Sequence, residues 1–318
     1  MKAVFLDYAT VSAGDLNPAA LQRAMPRLVL HDHTRESDII ERTQGCGIVL
    51  TNKLRISAEI MAATPSLRLI ALCATGTNNV DLDVAKARGI AVCNIRDYCT
   101  PSVAQHVLGV ILALTHRLRD YSRVATDGSW AASPQFTLLS FPIRELRGRA
   151  LGIVGWGVLG QAVARICETA LGMKVLIANR QGGAPSTGRL DLPELLGQAD
   201  VVSLHCPLTP VTNGMIGAAQ LALMKRDALL VNTARGALID VQALADALRA
   251  GRIGGAAIDV LPQEPPVDGS PLFAGDLPNL IVTPHTAWAA RESRQRSIDE
   301  MAANIADFLA GGHRGRVV

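Results

Sequence analysis

The sequence predicts an α/β protein made of two parallel-sheet domains separated by a cleft, the first of them discontinuous along the chain. Three observations predict it. The 318 residues exceed what one core usually organises. Short, uniformly apolar runs alternate with helix-period segments in two successive series, the pattern of strands covered on both faces by crossover helices. A long helical pattern at the C-terminus follows the last strand of the second series and is surplus to it.

In the first series, residues 4–6, 47–50, 67–73 and 90–93 read as buried strands, and residues 57–63 and 81–88 as helices between them. Thr100-Pro101 then opens an almost wholly apolar helix over 103–118, with Thr100 as N-cap and Pro101 at the first helical position. A helix this apolar needs cover on two sides, which suits a junction between domains. The stretch that follows, to about Leu146, has no clean period and reads as an exposed arm carrying Trp130, Pro134, Phe136 and Pro142. The second series places strands at 150–154, 175–178, 201–205, 229–232, 256–260 and 280–283, the six expected of a complete dinucleotide-binding sheet. The last helix, 291–310, is expected to return to the first domain. The predicted division is therefore 1–97 plus 289–318 as a flavodoxin-like domain, and 98–288 as a Rossmann dinucleotide-binding domain.

Composition removes several function classes. Hydrophobic residues make up 49% and charged residues 19%, with no repeat or low-complexity tract, so the chain is not mainly disordered. Lys plus Arg number 31 against 28 for Asp plus Glu, and the basic residues form no stripe, so no nucleic-acid partner is expected. The opening MKAVFLDYAT has too short an apolar run for a signal peptide, and no 18 consecutive residues are apolar; a cytosolic protein without a membrane partner is expected. The six cysteines show no metal-ligand spacing and read as reduced core thiols, with no bound metal.

Gly155-Trp156-Gly157-Val158-Leu159-Gly160 fits G-x-G-x-x-G. Its context is what makes it informative: a strand precedes it, a helix follows, and a second strand ends near Asn179, nineteen residues after Gly160. A pyrophosphate needs a tight turn at Gly155, a side-chain-free approach at Gly157, and the N–H groups of Val158 and Leu159 at a helix N-terminus. A carboxylate at the end of the second strand would accept the ribose 2′-OH and repel a 2′-phosphate. Here the residues are Asn179 and Arg180, so the expected cofactor is NAD(P), with NADP preferred.

Three further strand ends carry unlike polar groups: Asn232-Thr233-Ala234-Arg235-Gly236, Asp259-Val260-Leu261-Pro262-Gln263-Glu264-Pro265 and Thr283-Pro284-His285-Thr286-Ala287-Trp288. Open α/β sheets bind ligands beyond the carboxyl ends of their strands, so Arg235, Glu264 and His285 can converge there. Hydride added to a ketone carbon leaves charge on oxygen, which a guanidinium stabilises and an imidazolium neutralises by proton transfer. A carboxylate beside the imidazole favours its charged form.

On these four stretches the chain resembles the D-isomer-specific 2-hydroxyacid dehydrogenases over nearly its whole length. The resemblance implies reduction of a small 2-keto acid, hydroxypyruvate or glyoxylate, to the D-2-hydroxy acid. It implies Arg235 as the clamp on carboxylate and keto oxygen, His285 as general acid and Glu264 as its carboxylate partner. Cys73-Ala74-Thr75-Gly76-Thr77-Asn78-Asn79-Val80-Asp81 matches the family's substrate loop, with the Thr75 and Gly76 amides on the substrate carboxylate and Trp288 closing the pocket. It further implies Asp259 on the nicotinamide carboxamide, Val103 against the ring, Cys206, Pro207 and Thr212 along the nucleotide, and Thr233 and Ala234 in the cofactor site. His31, His33, His106 and His205 match no catalytic position. The chain departs from the family at Gln105 and Asn179, where an acidic residue is common. Two other readings stay open: a dehydrogenase of another small substrate such as a different 2-keto acid or phosphite, and a dinucleotide-sensing interaction protein. The apolar helix and the aromatic arm, together with the resemblance, predict a homodimer.

Overall fold

A computed structural model describes residues 1–318. In chain order the strands are β1 (Ala3–Phe5), β2 (Leu28–Leu30), β3 (Ile48–Thr51), β4 (Leu69–Leu72), β5 (Ala91–Cys93), β6 (Ala150–Val154), β7 (Lys174–Ile177), β8 (Val201–Leu204), β9 (Leu229–Asn232), β10 (Gly255–Ile258) and β11 (Leu280–Val282). The helices are α1 (Ala19–Ala24), α2 (Ile39–Thr43), α3 (Ala58–Ala63), α4 (Leu82–Ala87), α5 (Thr100–Thr115), α6 (Leu118–Thr126), α7 (Val158–Leu171), α8 (Leu192–Gln198), α9 (Ala218–Leu223), α10 (Val241–Arg249) and α11 (Arg291–Leu309). The chain divides into two compact units, Met1–Cys99 with Trp288–Val318, and Thr100–Ala287.

The first unit holds a parallel sheet of order β2-β1-β3-β4-β5. Successive side chains of a strand point to opposite faces, and here both faces are covered. Phe5, Ile48, Leu50, Leu69 and Ala71 enter one core, while Val4, Val49, Ile70 and Leu72 enter the other. α11 fills the first core with Ile298, Met301, Ala302 and Ile305, a stripe at helical spacing whose members are at most 5% exposed. Burial of each large side chain on that stripe contributes roughly 1.5–3 kcal/mol, which is why the C-terminal helix belongs with this sheet. β2 is absent from the sequence reading. Its apolar run, Leu28–Leu30, is only three residues long between Arg27 and His31, and it is incompletely buried.

The second unit holds a six-stranded parallel sheet of order β11-β10-β9-β8-β6-β7. The chain leaves β6 toward β7 on one side and leaves β8 toward β9 on the other, so a topological switch point forms where the ends of adjacent β6 and β8 meet.

Two expectations for the apolar helix are corrected. Thr100 does not cap it: the residue is the first of α5, and its buried hydroxyl makes no hydrogen bond. α5 stops at Thr115 rather than continuing to Leu118, because Arg117 adopts a left-handed backbone (φ 53°) and the chain restarts as the separate, polar α6. Beyond α6, residues 127–149 form neither helix nor strand, and Trp130, Phe136, Leu139 and Ile143 are 50%, 90%, 85% and 51% exposed. No helix is long and apolar enough to cross a membrane. All six cysteines are free thiols; Cys46, Cys73, Cys93 and Cys167 are buried, and burial pushes the Cys73 thiol up to about 12.

Candidate active site

In the second unit β9, β10 and β11 are parallel neighbours, so the three loops that leave their carboxyl ends lie side by side. The first carries Arg235. Fully buried Asn232 shapes this loop: its Nδ2 donates to the Arg235 carbonyl at 2.9 Å, and its Oδ1 accepts the Ala234 N–H at 3.0 Å. The half-buried guanidinium donates through Nη1 to the Ala234 carbonyl at 2.7 Å and pairs with no carboxylate of the chain, leaving most of its five donors for a ligand. Gly236 lets this loop pack on the next one. A Cβ there would lie 1.9 Å from the Leu261 carbonyl carbon, so any side chain would push apart the loops that carry Arg235 and Glu264.

Glu264 is fixed from both ends of its carboxylate. Oε1 accepts the Leu261 N–H at 2.8 Å, and Oε2 lies 2.6 Å from Nδ1 of His285. The two side chains are 35% and 31% exposed, so the pair is accessible from solvent. His285 itself stands in the left-handed region (φ 55°), unusual for a residue with a Cβ. The turn is held by Asp259, which is 2% exposed. Its Oδ1 accepts the Thr283 hydroxyl at 2.5 Å and the Thr286 N–H at 2.9 Å, its Oδ2 accepts the Ala287 N–H at 2.9 Å, and its carbonyl accepts the His285 N–H at 2.8 Å. Three of the carboxylate's roughly four lone-pair sites are thus committed inside the protein. The sequence gives no role to Thr283, although it opens the Thr283–Trp288 stretch, or to His106, a histidine that matches no catalytic position and whose Nε2 lies 3.4 Å from the Thr283 hydroxyl. The signal for Thr283 was present, since it immediately precedes Pro284-His285; for His106, on α5, there was none.

The glycine turn sits at the switch point. Gly155 has φ 107°, and a Cβ on it would lie 2.5 Å from the His205 carbonyl carbon, so the turn packs directly on the chain leaving β8. Nothing lies within 4 Å of where a Gly157 Cβ would be, and α7 begins at Val158 without a side-chain cap. Its first N–H groups, including those of Val158 and Leu159, have no intrahelical partner and suit an anionic group. Thr233, next to Arg235, has a buried hydroxyl with no hydrogen-bond partner. An open glycine approach and an uncapped helix start after β6, with an orphaned hydroxyl after β9 on the far side of β8, fit a dinucleotide.

Other residues of the nucleotide side are placed as follows. The side chain of Asn179, 8% exposed, is committed within the protein: Nδ2 donates to Asp191 Oδ1 at 2.9 Å and Oδ1 accepts the Ser186 N–H at 2.9 Å. Arg180 beside it is exposed. Cys206 and Pro207 follow β8, next to the turn at Gly155; Thr212 is 5% exposed and its hydroxyl donates to the Pro207 carbonyl at 2.8 Å, bracing the loop from within. Burial pushes the His205 imidazole down to about 4, and Ser203 Oγ lies 2.9 Å from its Nε2. Val103, on α5, is 4% exposed, and Ala234 is half-buried in the Arg235 loop.

Thr75, Gly76 and Trp288 lie in the first unit. Asn94 Nδ2 donates to the Thr75 carbonyl at 2.7 Å, and Asn79 Nδ2 donates to the Leu54 carbonyl at 3.0 Å, so the loop is braced at both ends while Thr75 is exposed. Buried Asp7 accepts the N–H groups of Asn52, Lys53 and Leu54, fixing the adjacent loop after β3. Trp288 meets Tyr98 edge to face at 6.3 Å.

A dinucleotide turn on a doubly wound sheet, with a carboxylate–imidazole pair and an unpaired guanidinium on neighbouring strand ends, defines a site suited to hydride-transfer chemistry. Comparison with known proteins assigns its family. Residues 108–287 match the family model described as the D-isomer specific 2-hydroxyacid dehydrogenase, NAD binding domain. A glycerate dehydrogenase from Methylorubrum extorquens is 48% identical over 86% of this chain and 86% of its own length. A hydroxypyruvate reductase from Blautia hydrogenotrophica is 37% identical over 98% of both chains. Among solved structures, the TT0316 protein of Thermus thermophilus superposes with a TM-score of 0.87 at 36% identity, covering 100% of both chains. The chain belongs to the D-isomer-specific 2-hydroxyacid dehydrogenase family, oxidoreductases with a nicotinamide dinucleotide-binding domain.

Proposed function

We propose that the protein reduces a small 2-keto acid, hydroxypyruvate or glyoxylate, to the D-2-hydroxy acid, with His285 as general acid. The observation that carries this reading is the 2.6 Å contact between Glu264 and His285 on the strand end next but one to that of Arg235, inside the dinucleotide-binding unit. Bound NAD(P)H supplies the hydride that reaches the keto carbon. Arg235 binds the substrate carboxylate and the keto oxygen, opposing the charge that grows there. His285, held through Nδ1 by Glu264, gives the proton to that oxygen from its other ring nitrogen and is reprotonated from solvent. Thr75 and Gly76 supply amide donors for the substrate carboxylate, and Trp288 limits substrate size. Asp259, Val103, Thr233, Ala234, Cys206, Pro207 and Thr212 remain proposed cofactor contacts.

The names carried by the relatives favour hydroxypyruvate and glyoxylate over other keto acids. The test is initial rates with hydroxypyruvate, glyoxylate, pyruvate and bulkier 2-keto acids. The reading expects the highest kcat/KM on the first two; turnover confined to the bulky acids would overturn it.

NADP is the proposed preferred form. The strand end presents exposed Arg180, while the Asn179 amide, already bonded to Asp191 and Ser186, adds no charge that would repel a phosphate. A charge-assisted pair between guanidinium and phosphate is worth enough that Arg180→Ala lowers kcat/KM for NADPH by about 10- to 100-fold, with NADH little changed. The contrary feature is the Asp191 carboxylate beside Asn179; equal losses with both cofactors would move the preference to NAD. The exposed apolar arm residues Trp130, Phe136, Leu139 and Ile143 support a homodimer, expected as twice the chain mass by light scattering, and a monomeric mass would remove it.

A further inference from the structure

We infer that Thr283 is a positioning residue for the reaction: its hydroxyl completes the clamp by which buried Asp259 holds the left-handed turn at His285. The inference rests on the reading of His285 as the proton donor. Residues 283–287 leave β11 and must carry His285 at φ 55°, a conformation a residue with a Cβ adopts only when its surroundings fix it. Asp259 supplies that fixing by gripping the turn on both sides of the histidine. Thr283 on one side bonds Oδ1 at 2.5 Å; Thr286 and Ala287 on the other bond Oδ1 and Oδ2 at 2.9 Å each. Of these three donors, two are backbone N–H groups that most residues would provide. The hydroxyl is the one that depends on side-chain identity.

The threonine's single hydroxyl proton goes to Asp259, so the contact with His106 at 3.4 Å has the imidazole Nε2–H donating to the Thr283 oxygen. The order of donors is then His106 to Thr283 to Asp259, and the oxygen between them is engaged on both sides. Removing the hydroxyl leaves a carboxylate that is 2% exposed with one donor fewer, so that the carboxylate grips the turn from its far side only, while the Asp259 carbonyl still accepts the His285 N–H. The imidazole then loses its fixed direction toward Glu264, and with it the aim of the transferred proton, while the glycine turn on β6 is untouched.

The tests are Thr283→Val, which keeps the shape and removes the hydroxyl, and Thr283→Ser, which keeps the hydroxyl. With hydroxypyruvate, Thr283→Val is expected to lower kcat about tenfold or more, the size of one hydrogen bond to a charged group, with the NADPH dissociation constant by fluorescence titration within about twofold of wild type. Thr283→Ser is expected to recover most of the loss. Added to His285→Ala, Thr283→Val is expected to lower kcat little further, because the residue it positions is gone. Unchanged kcat in Thr283→Val, a serine variant as impaired as the valine one, or a full additional loss in the His285→Ala background would each overturn the inference. A His285→Ala enzyme with wild-type kcat instead overturns the underlying assignment of the acid, whatever Thr283 does. Retained cofactor binding in Thr283→Val serves as the control for folding.

Discussion

His285→Ala lowers kcat for hydroxypyruvate reduction by about 10²–10⁴, the usual contribution of a positioned general acid. Hydride addition without a proton donor leaves an alkoxide in the site. Only Arg235 and solvent then oppose its charge, so the loss falls on the chemical step. Substrate and cofactor binding rest on other groups, Arg235 for the carboxylate and the turn at Gly155 for the pyrophosphate, so KM for both changes much less than kcat. Steady-state kinetics at saturating NADPH check this, and a variant that loses binding with kcat intact would remove His285 from the chemistry. Glu264→Gln, which keeps the geometry but removes the charge beside Nδ1, falls between wild type and His285→Ala.

Arg235→Ala loses about 10²–10³ in kcat/KM, the cost of deleting a donor aimed at developing negative charge. Both binding and chemistry suffer, because the same guanidinium meets the carboxylate and the keto oxygen. Arg235→Lys recovers little: a single ammonium cannot reproduce two parallel donors on a planar carboxylate. Asn232 holds the Arg235 loop through the backbone rather than through the side chain, so the loop persists in either variant and the loss reports the guanidinium itself. A lysine variant within a few-fold of wild type would show that a charge suffices and that paired donation is not used.

The parts of this molecule legible in the sequence are those set by local pattern. Uniformly apolar runs such as Ala3–Phe5 and Leu69–Leu72 fix their strands because both faces of a parallel sheet are buried. Arg235, Glu264 and His285 could be proposed as neighbours because each follows a strand, and parallel strands bring their carboxyl ends to one edge. What escaped depends on partners distant in the chain. Asp259 meets Thr283 across 24 residues and Thr283 meets His106 across 177, and no periodicity records either contact. Asn179 stands at the strand end where a ribose is expected, and its bonds to Asp191 and Ser186, 12 and 7 residues further along, leave no trace in the local pattern. β2 escaped because its apolar run is only three residues long between Arg27 and His31, and the break at Arg117 because an apolar period carries no mark of a left-handed residue.

The most direct test of the central claim, that Arg235 and the Glu264–His285 pair serve D-specific reduction of a small 2-keto acid, is the configuration and yield of the product from hydroxypyruvate and NADPH. The account predicts D-glycerate, one molecule for each NADPH oxidised, from the wild-type protein and very little from His285→Ala. L-Glycerate, or no oxidation of either NADPH or NADH with hydroxypyruvate and glyoxylate, would contradict it.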